Sequence, residues 1–185
     1  HHFERRKEAE TRFFGTEPTS SIDVSKLVTT SKLRNSVACE RFIDHVQPRL
    51  ILSYGCHKLE PNILSRSRQY CWNVHGGLSP SYRGSITHFW PSYMLEPQMT
   101  GVTLHETSDR IDGGAIMHQT GVELVSGDGL HDLTCRSVKT FLDELPDVLT
   151  TALDHPRRIK GVPQKTSGRI WKKSMWRPEH LRPIY

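Results

Sequence analysis

Two short apolar runs that end in polar side chains constrain the fold of this chain most strongly. The first is RLILSY, at residues 49–54, and the second is YCWNVH, at residues 70–75. Short continuous apolar runs are typical of strands that are buried on both faces. A helical spacing of apolar residues precedes the first run, in RNSVACERFIDHV at residues 34–46. Helices that alternate with short buried strands predict an α/β domain with a largely parallel sheet.

The rest of the chain extends this alternation. Asp128 is the expected N-cap of a long helix that reaches about Leu153, with a break expected at Pro146. Pro91 is expected to end or kink a helix in its own segment. The further predicted elements are a charged helix at 3–13, a short strand and turn at 20–30, a helix at 85–95, and strands within TGVTLHE (100–106) and GAIMHQTGVEL (114–124).

Composition limits the classes of protein and of partner. The 185 residues suffice for one domain and are few for two. Four cysteines without zinc-ligand spacing or a disulfide framework indicate a reducing, cytoplasmic setting and no metal site. Since no apolar run reaches eighteen residues, no membrane partner is expected. The net charge of +5 permits an anionic ligand, but no nucleic-acid-binding module is evident, and oligomerisation is left open.

Polar side chains gather at the end of the second apolar run. Asn73 and His75 are two residues apart, so on a strand they project from the same face, toward a loop that contains two adjacent glycines. Asp112 follows within SDRIDGG, residues 108–114. An amide can stabilise a developing oxyanion, and a histidine beside a carboxylate can move a proton. No Ser or Cys elbow is present, so the pattern indicates acyl transfer to an external nucleophile. A purely structural role for the strand-end pair stays open at this point.

The order of these motifs resembles a known family. NVHGGLSPSYRG (73–84) and TGVTLHETSDRIDGGAIMHQ (100–119) are similar to the formyltransferases that use 10-formyltetrahydrofolate. These enzymes include glycinamide ribonucleotide formyltransferase, methionyl-tRNA formyltransferase and sugar-nucleotide N-formyltransferases. The resemblance covers about residues 36–125. It implies an open, mostly parallel, Rossmann-like sheet with helices on both faces.

The resemblance also implies roles for individual residues. An amine would attack the formyl carbon while His75 and Asn73 stabilise the oxyanion, and Asp112 would keep His75 charged and assist proton transfer. The positions that match the family's folate-binding loops, less closely than the catalytic ones, are Gly55, Cys56, His57, Lys58 and Leu59, together with Glu106, Thr107, Ser108, Asp109, Arg110 and Ile111. The positions expected beside the acceptor are Gly76, Gly77, Ser79, Tyr82 and Arg83. The histidines interpreted as surface or core residues are His88, His105, His118 and His131.

The acceptor amine is less sharply indicated. About thirty residues follow Pro156, too few for the C-terminal domain of the transfer-RNA enzymes, and Gly76 stands where the purine enzyme usually has proline. A nucleotide-linked aminosugar is therefore the leading expectation. The alternatives are a formyltetrahydrofolate hydrolase, formylation of a purine precursor or methionyl-tRNA, and a non-catalytic relative that binds folate or nucleic acid.

Two segments are expected along the chain. Residues 1–155 would form the catalytic domain, and residues 156–185 a basic C-terminal extension. The family normally carries about a hundred residues before the catalytic asparagine, whereas here 72 precede Asn73. The expectation is therefore a domain that lacks its N-terminal strand.

Overall fold

The structure is a computed structural model that describes residues 1–16, 37–165 and 168–185. The strand predicted at 20–30 lies outside the described residues. The helices are α1 (His2–Phe14), α2 (Val37–Val46), α3 (Pro61–Leu64), α4 (Trp90–Tyr93) and α5 (Leu130–Asp154), with 3₁₀ turns at Pro97–Met99, Lys173–Met175 and Pro178–Leu181. The strands are β1 (Leu50–Tyr54), β2 (Tyr70–His75), β3 (Tyr82–Gly84), β4 (Gly101–Glu106), β5 (Ile116–Gly121) and β6 (Arg169–Trp171).

The α/β class is confirmed, but the sheet is mixed rather than largely parallel. Four strands lie in the order β1-β2-β4-β5. The β1–β2 pair is parallel, whereas β4 runs antiparallel to both of its neighbours. Only residues 107–115 connect β4 to β5. This is shorter than the dozen or more residues that a parallel crossover requires, so β5 has to reverse direction.

Helix α5 covers one face of the sheet, and two details of its prediction are wrong. Gly129 rather than Asp128 is its N-cap, and the Asp132 carboxylate accepts the Gly129 backbone N–H at 2.9 Å. Asp128 instead accepts the N–H of Val125. The helix also continues through Pro146 without a break. Apolar packing against the sheet offsets the hydrogen bond that proline cannot donate. The packed residues include Tyr70, Trp72, Val102, Leu104, Phe141, Leu145 and Leu149.

Helix α4 is shorter than the predicted segment at 85–95. It spans only Trp90–Tyr93, with Pro91 in its first turn rather than at its end. Proline is favourable there because the first backbone N–H groups of a helix have no intrahelical partner. Trp90 is 2% exposed and anchors a second apolar cluster beside the loop that follows β2.

The C-terminal residues complete that second cluster. β6 pairs in parallel with β3, with Gly84 opposite Trp171. The Trp171 ring stacks on Trp90 at 4.3 Å between centroids and on Tyr82 at 5.9 Å. The end of the chain is thereby fixed against the loop that carries the predicted acceptor positions. Within the described ranges, no helix is both long and apolar enough to cross a membrane.

Candidate active site

A row of polar side chains crosses the sheet on the face opposite the Tyr70–Trp72 core. Strand register places Ser53 and His105 on either side of Asn73. The Ser53 hydroxyl donates to Asn73 Oδ1 at 2.9 Å, and Asn73 Nδ2 lies 3.3 Å from His105 Nε2. The His105 Nδ1–H donates to the Glu106 carbonyl at 2.8 Å, and Nε2 of the ring faces Asn73. These contacts orient the Asn73 amide, with its oxygen toward Ser53 and its N–H₂ group toward His105.

His75 lies two residues further along the same face of β2 and is only 6% exposed. Its Nε2 donates to the Tyr82 carbonyl at 2.8 Å, and its Nδ1 lies 3.4 Å from Asp112 Oδ2. Burial lowers the pKa of His75 below its ordinary value, although Asp112 and the Tyr82 carbonyl oppose that shift. The direction of this shift opposes the expectation that Asp112 keeps His75 charged, which stays a prediction. Desolvation of the imidazolium outweighs the attraction of the carboxylate.

The Asp112 carboxylate is held from several sides. Its Oδ2 accepts the Gly84 backbone N–H at 2.8 Å, and its Oδ1 lies 3.5 Å from His105 Nε2. Its backbone carbonyl accepts the Gln164 amide at 2.9 Å, and its own φ of 43° is one that Asp tolerates. Burial by itself raises the pKa of Asp112, but the contact with His105, the electrostatic effect of the neighbouring His75 and the Gly84 N–H together lower it below the ordinary value.

Two cavities meet at these side chains. The loop cavity, of about 400 Å³, lies between the loops that follow β1 and β4 and the segment that follows β6. The helix cavity, of about 1030 Å³, is bounded by α1 and α5 and by the loop that follows β2. Asn73, Gly84 and Asp112 line both cavities. His75 lines only the helix cavity, and His105 only the loop cavity. A group that bridges the two cavities therefore passes beside the Asn73 amide and the Asp112 carboxylate.

Most of the predicted folate-binding positions line the loop cavity. The exceptions are Gly55, which lines the helix cavity, and Glu106, whose carboxylate lies 3.5 Å from Arg158 instead. The positions brought together around the loop cavity are Cys56, His57, Lys58, Leu59, Thr107, Ser108, Asp109, Arg110 and Ile111.

Most of the predicted acceptor positions are buried. Gly76 lines the helix cavity, whereas Gly77, Ser79, Tyr82 and Arg83 are buried and line neither cavity. Their segment folds back beneath the site, where the Ser79 hydroxyl donates to the Asp112 carbonyl at 3.2 Å and the Tyr82 carbonyl accepts from His75. Ser79 and Tyr82 therefore hold Asp112 and His75 from behind.

Several residues at the site were not predicted from the sequence. His105 was interpreted as a surface or core residue, yet it contacts both Asn73 and Asp112. The polar Ser53 at the end of an apolar strand was an available signal for its position in the row. Gln164 had no local signal, because it reaches Asp112 through the fold and not through a motif.

Comparison with known proteins identifies the family of this chain. The model of the formyl transferase family matches residues 6–149. The chain belongs to the formyl transferase family. The match includes all the catalytic candidates and both loops of the loop cavity. It ends within α5, before the segment that forms β6.

Solved structures of this family have the same fold. The formyltransferase PseJ from Anoxybacillus kamchatkensis, in complex with UDP-4,6-dideoxy-4-formamido-L-AltNAc and tetrahydrofolate, is 25% identical with a TM-score of 0.57, over 81% of this chain and 73% of that one. A sugar N-formyltransferase from a Shewanella species is 22% identical (TM-score 0.53; 74% and 54% covered). Glycinamide ribonucleotide transformylase 1 from Symbiobacterium toebii is 19% identical (TM-score 0.54; 67% and 62%). The chain spans about half the length of the Shewanella protein.

The stability of this formyl transferase domain is expected to fall in mild acid, because of His88. The His88 Nε2–H donates to the Gly101 carbonyl at 3.1 Å, and burial lowers the pKa of this histidine to about 4. The unfolded chain, in which the pKa is about 6.5, binds a proton that the folded chain excludes. The free energy of unfolding should therefore decrease as the pH falls from about 6.5 to 4, by up to about 3 kcal/mol from this group.

Urea unfolding at pH 7 and pH 4.5 measures this decrease. His88→Gln keeps an amide N–H that can reach the Gly101 carbonyl, but it cannot titrate. The variant should therefore lose less stability between the two pH values than the wild type. An equal loss in both proteins would exclude His88 as a source of the acid sensitivity.

Proposed function

We propose that this chain transfers a formyl group from 10-formyltetrahydrofolate to the amine of a nucleotide-linked aminosugar. The observation that carries the proposal is the position of Asn73 and Asp112 on the wall shared by two cavities. A transferase that joins two substrates needs such a wall, since both reacting groups must meet at the same side chains.

The loop cavity suits the folate. Its volume of about 400 Å³ lies within the usual range for small-molecule sites. Leu59 and Ile111 provide apolar surface for a flat ring, and the loop at 107–111 lines the cavity beside them. The presence of tetrahydrofolate in the PseJ structure supports the assignment of folate to this family member.

The helix cavity suits a large acceptor. Its volume of about 1030 Å³ leaves room for a nucleotide as well as a sugar. Arg6 and Lys173 bring positive charge that a diphosphate would complement, although Arg6 also pairs with Glu10 at 2.8 Å. The UDP-linked sugar in the PseJ structure supports this class of acceptor. The aromatic side chains of the wall, on which a base could stack, are Phe3, Phe14, Tyr54, Phe89 and Trp176.

The shared wall can perform the proposed transfer. Bound 10-formyltetrahydrofolate would supply an activated formyl group. The Asn73 N–H₂ group, directed by its contact with Ser53, would donate to the formyl oxygen as negative charge develops on it. As the bond from amine nitrogen to formyl carbon forms and the bond to the folate nitrogen breaks, the amine loses a proton. Asp112 and the neutral Nδ1 of His75, 3.4 Å apart, would accept that proton together and pass it to the departing folate nitrogen, which leaves as the secondary amine of tetrahydrofolate.

A pair of matched substitutions tests the assignment of the two cavities. Ile111 is 57% exposed and lines only the loop cavity, whereas Ile86 is 40% exposed and lines only the helix cavity. Ile111→Trp should weaken the binding of a stable 10-formyltetrahydrofolate analogue by about tenfold or more, measured by calorimetric titration. Ile86→Trp should instead raise the KM for the aminosugar nucleotide. The reverse pattern would exchange the two assignments.

The choice of acceptor needs its own measurement. Formyl transfer should be assayed with a panel of nucleotide-linked aminosugars, a purine-precursor amine and methionyl-tRNA, with formate release as the readout for water. Turnover of an aminosugar nucleotide well above the other acceptors is expected. Formate release without transfer to any amine would make the chain a hydrolase.

A further inference from the structure

Arg83 is a buried cation without an ion-pair partner. It is only 4% exposed, its Nε has no hydrogen-bond partner, and no carboxylate lies within ion-pair distance of it among residues 1–16, 37–165 and 168–185. A buried guanidinium that lacks such partners is destabilising by itself. Arg83 also lines neither cavity. If its charge has a role in the reaction, it therefore acts through neighbouring protein groups and not through a bound ligand.

The backbone on both sides of Arg83 holds the two catalytic side chains. The Tyr82 carbonyl, which precedes Arg83, accepts from His75 Nε2 at 2.8 Å. The Gly84 N–H, which follows Arg83, donates to Asp112 Oδ2 at 2.8 Å. Arg83 itself is the middle residue of β3, whose position is fixed by its pairing with β6. A displacement of Arg83 would therefore disturb the contacts of both His75 and Asp112.

The guanidinium of Arg83 lies against the turn that carries Asp112. A Cβ at Gly113, the residue after Asp112, would lie 2.9 Å from Arg83 Nη1. The guanidinium can approach the backbone of the turn this closely because Gly113 has no side chain. Arg110 also packs on Gly113 and donates to its carbonyl at 3.2 Å, but Arg110 is exposed. The buried positive charge beside this turn is therefore that of Arg83.

The charge of Arg83 acts on His75 in the same direction as burial. Burial is the largest cause of the lowered pKa of His75, and the electrostatic effects of His105 and Arg83 lower it further. Two other histidines face the catalytic pair. His105 Nε2, on β4, lies 3.5 Å from Asp112 Oδ1, and burial lowers the pKa of His88, before α4, to about 4. A fixed positive charge beside the pair favours the proton-free forms of both His75 and Asp112.

We propose that Arg83 is a positioning residue for formyl transfer, whose buried guanidinium holds the Asp112 turn and keeps Asp112 and His75 free to accept the proton of the attacking amine. The inference rests on the proposed function, which assigns that proton to this pair. Arg83 takes no part in the proton transfer itself, because a guanidinium stays cationic in proteins.

The pH dependence of kcat in Arg83→Met tests this inference. Loss of the buried charge should move the acid limb of the kcat profile to higher pH by about one unit, which lowers kcat about tenfold at a given pH on that limb. The KM values of both substrates should change little, because Arg83 lines neither cavity. Arg83→Lys keeps the charge and should restore the wild-type limb.

The matched control is Arg169→Met. Arg169 lies on β6 opposite Tyr82 of β3, is exposed and lines neither cavity. Its substitution removes the same charge from the same strand pair, at a position where water and salt screen it. The acid limb should therefore stay at the wild-type pH.

Titration of the His75 ring protons by NMR gives a second measurement, which does not depend on turnover. The His75 ring should titrate at higher pH in Arg83→Met than in the wild type and in Arg169→Met. Urea unfolding shows whether each variant is folded, and Arg83→Gln is a second neutral variant in case Arg83→Met does not fold.

The outcomes separate the inference from the proposed function. An acid limb and a His75 titration at the wild-type pH in a folded neutral variant would overturn the role of Arg83 and leave the proposed function intact. A limb that moves equally in Arg169→Met or in Arg83→Lys would also overturn it. If neither neutral variant folds and Arg83→Lys does, Arg83 is structural and the inference fails. No transfer to any amine by the wild type would overturn the proposed function, whereas the His75 titration would still decide whether the charge of Arg83 acts on the pair.

Discussion

Asp112→Asn is expected to reduce formyl transfer by about 100- to 10,000-fold while the domain stays folded. The asparagine retains an oxygen that can accept the Gly84 N–H, and it tolerates the φ of 43° at this position. It cannot accept the proton that the attacking amine releases, and it removes the negative charge beside His75. Steady-state kinetics should show the loss mainly in kcat, because both substrates still reach their cavities.

The control for this substitution is Asp147→Asn, on the exposed surface of α5. It removes the same charge away from both cavities and should keep wild-type turnover. Near-wild-type kcat in Asp112→Asn would mean that a different group accepts the proton. Loss of kcat together with a lower free energy of unfolding would assign Asp112 a structural role first.

Much of this site could be predicted because its signals are local. The apolar runs that become β1 and β2 are short and continuous, so their burial follows from the sequence. Asn73 and His75 are two apart on one strand, and the IDGG turn explains how Asp112 can approach them. These signals can be interpreted from the local geometry of one strand and one turn, without knowledge of the rest of the fold.

The features that were not predicted depend on contacts between distant segments. The row from Ser53 to His105 exists only in one register of three strands, and register is set by the whole sheet. The pKa of His75 depends on the burial of its ring, and the spacing of residues along the sequence does not indicate that burial. β6 has three residues in a basic segment, and it forms because Trp171 packs between Trp90 and Tyr82.

Gly84→Ala is expected to destabilise the domain by about 3 kcal/mol or more, because Gly84 joins β3 to β6 and its N–H donates to Asp112. Its φ is 103°, which disfavours any residue with a Cβ, and a Cβ there would lie 2.1 Å from the Trp171 carbonyl oxygen. The strands would have to separate, which would move the Gly84 N–H away from Asp112. Urea unfolding followed by tryptophan fluorescence should show both the lower stability and the exposure of Trp171.

The matched control is Gly121→Ala at the end of β5. A Cβ there would meet no atom within 4 Å, so this variant should unfold within about 1 kcal/mol of the wild type. The pair therefore separates the loss of one glycine from the loss of the β3–β6 contact. If Gly84→Ala unfolds like Gly121→Ala and keeps its turnover, β6 does not hold Asp112 in place. If it loses turnover as well as stability, the pairing of β3 with β6 also positions Asp112.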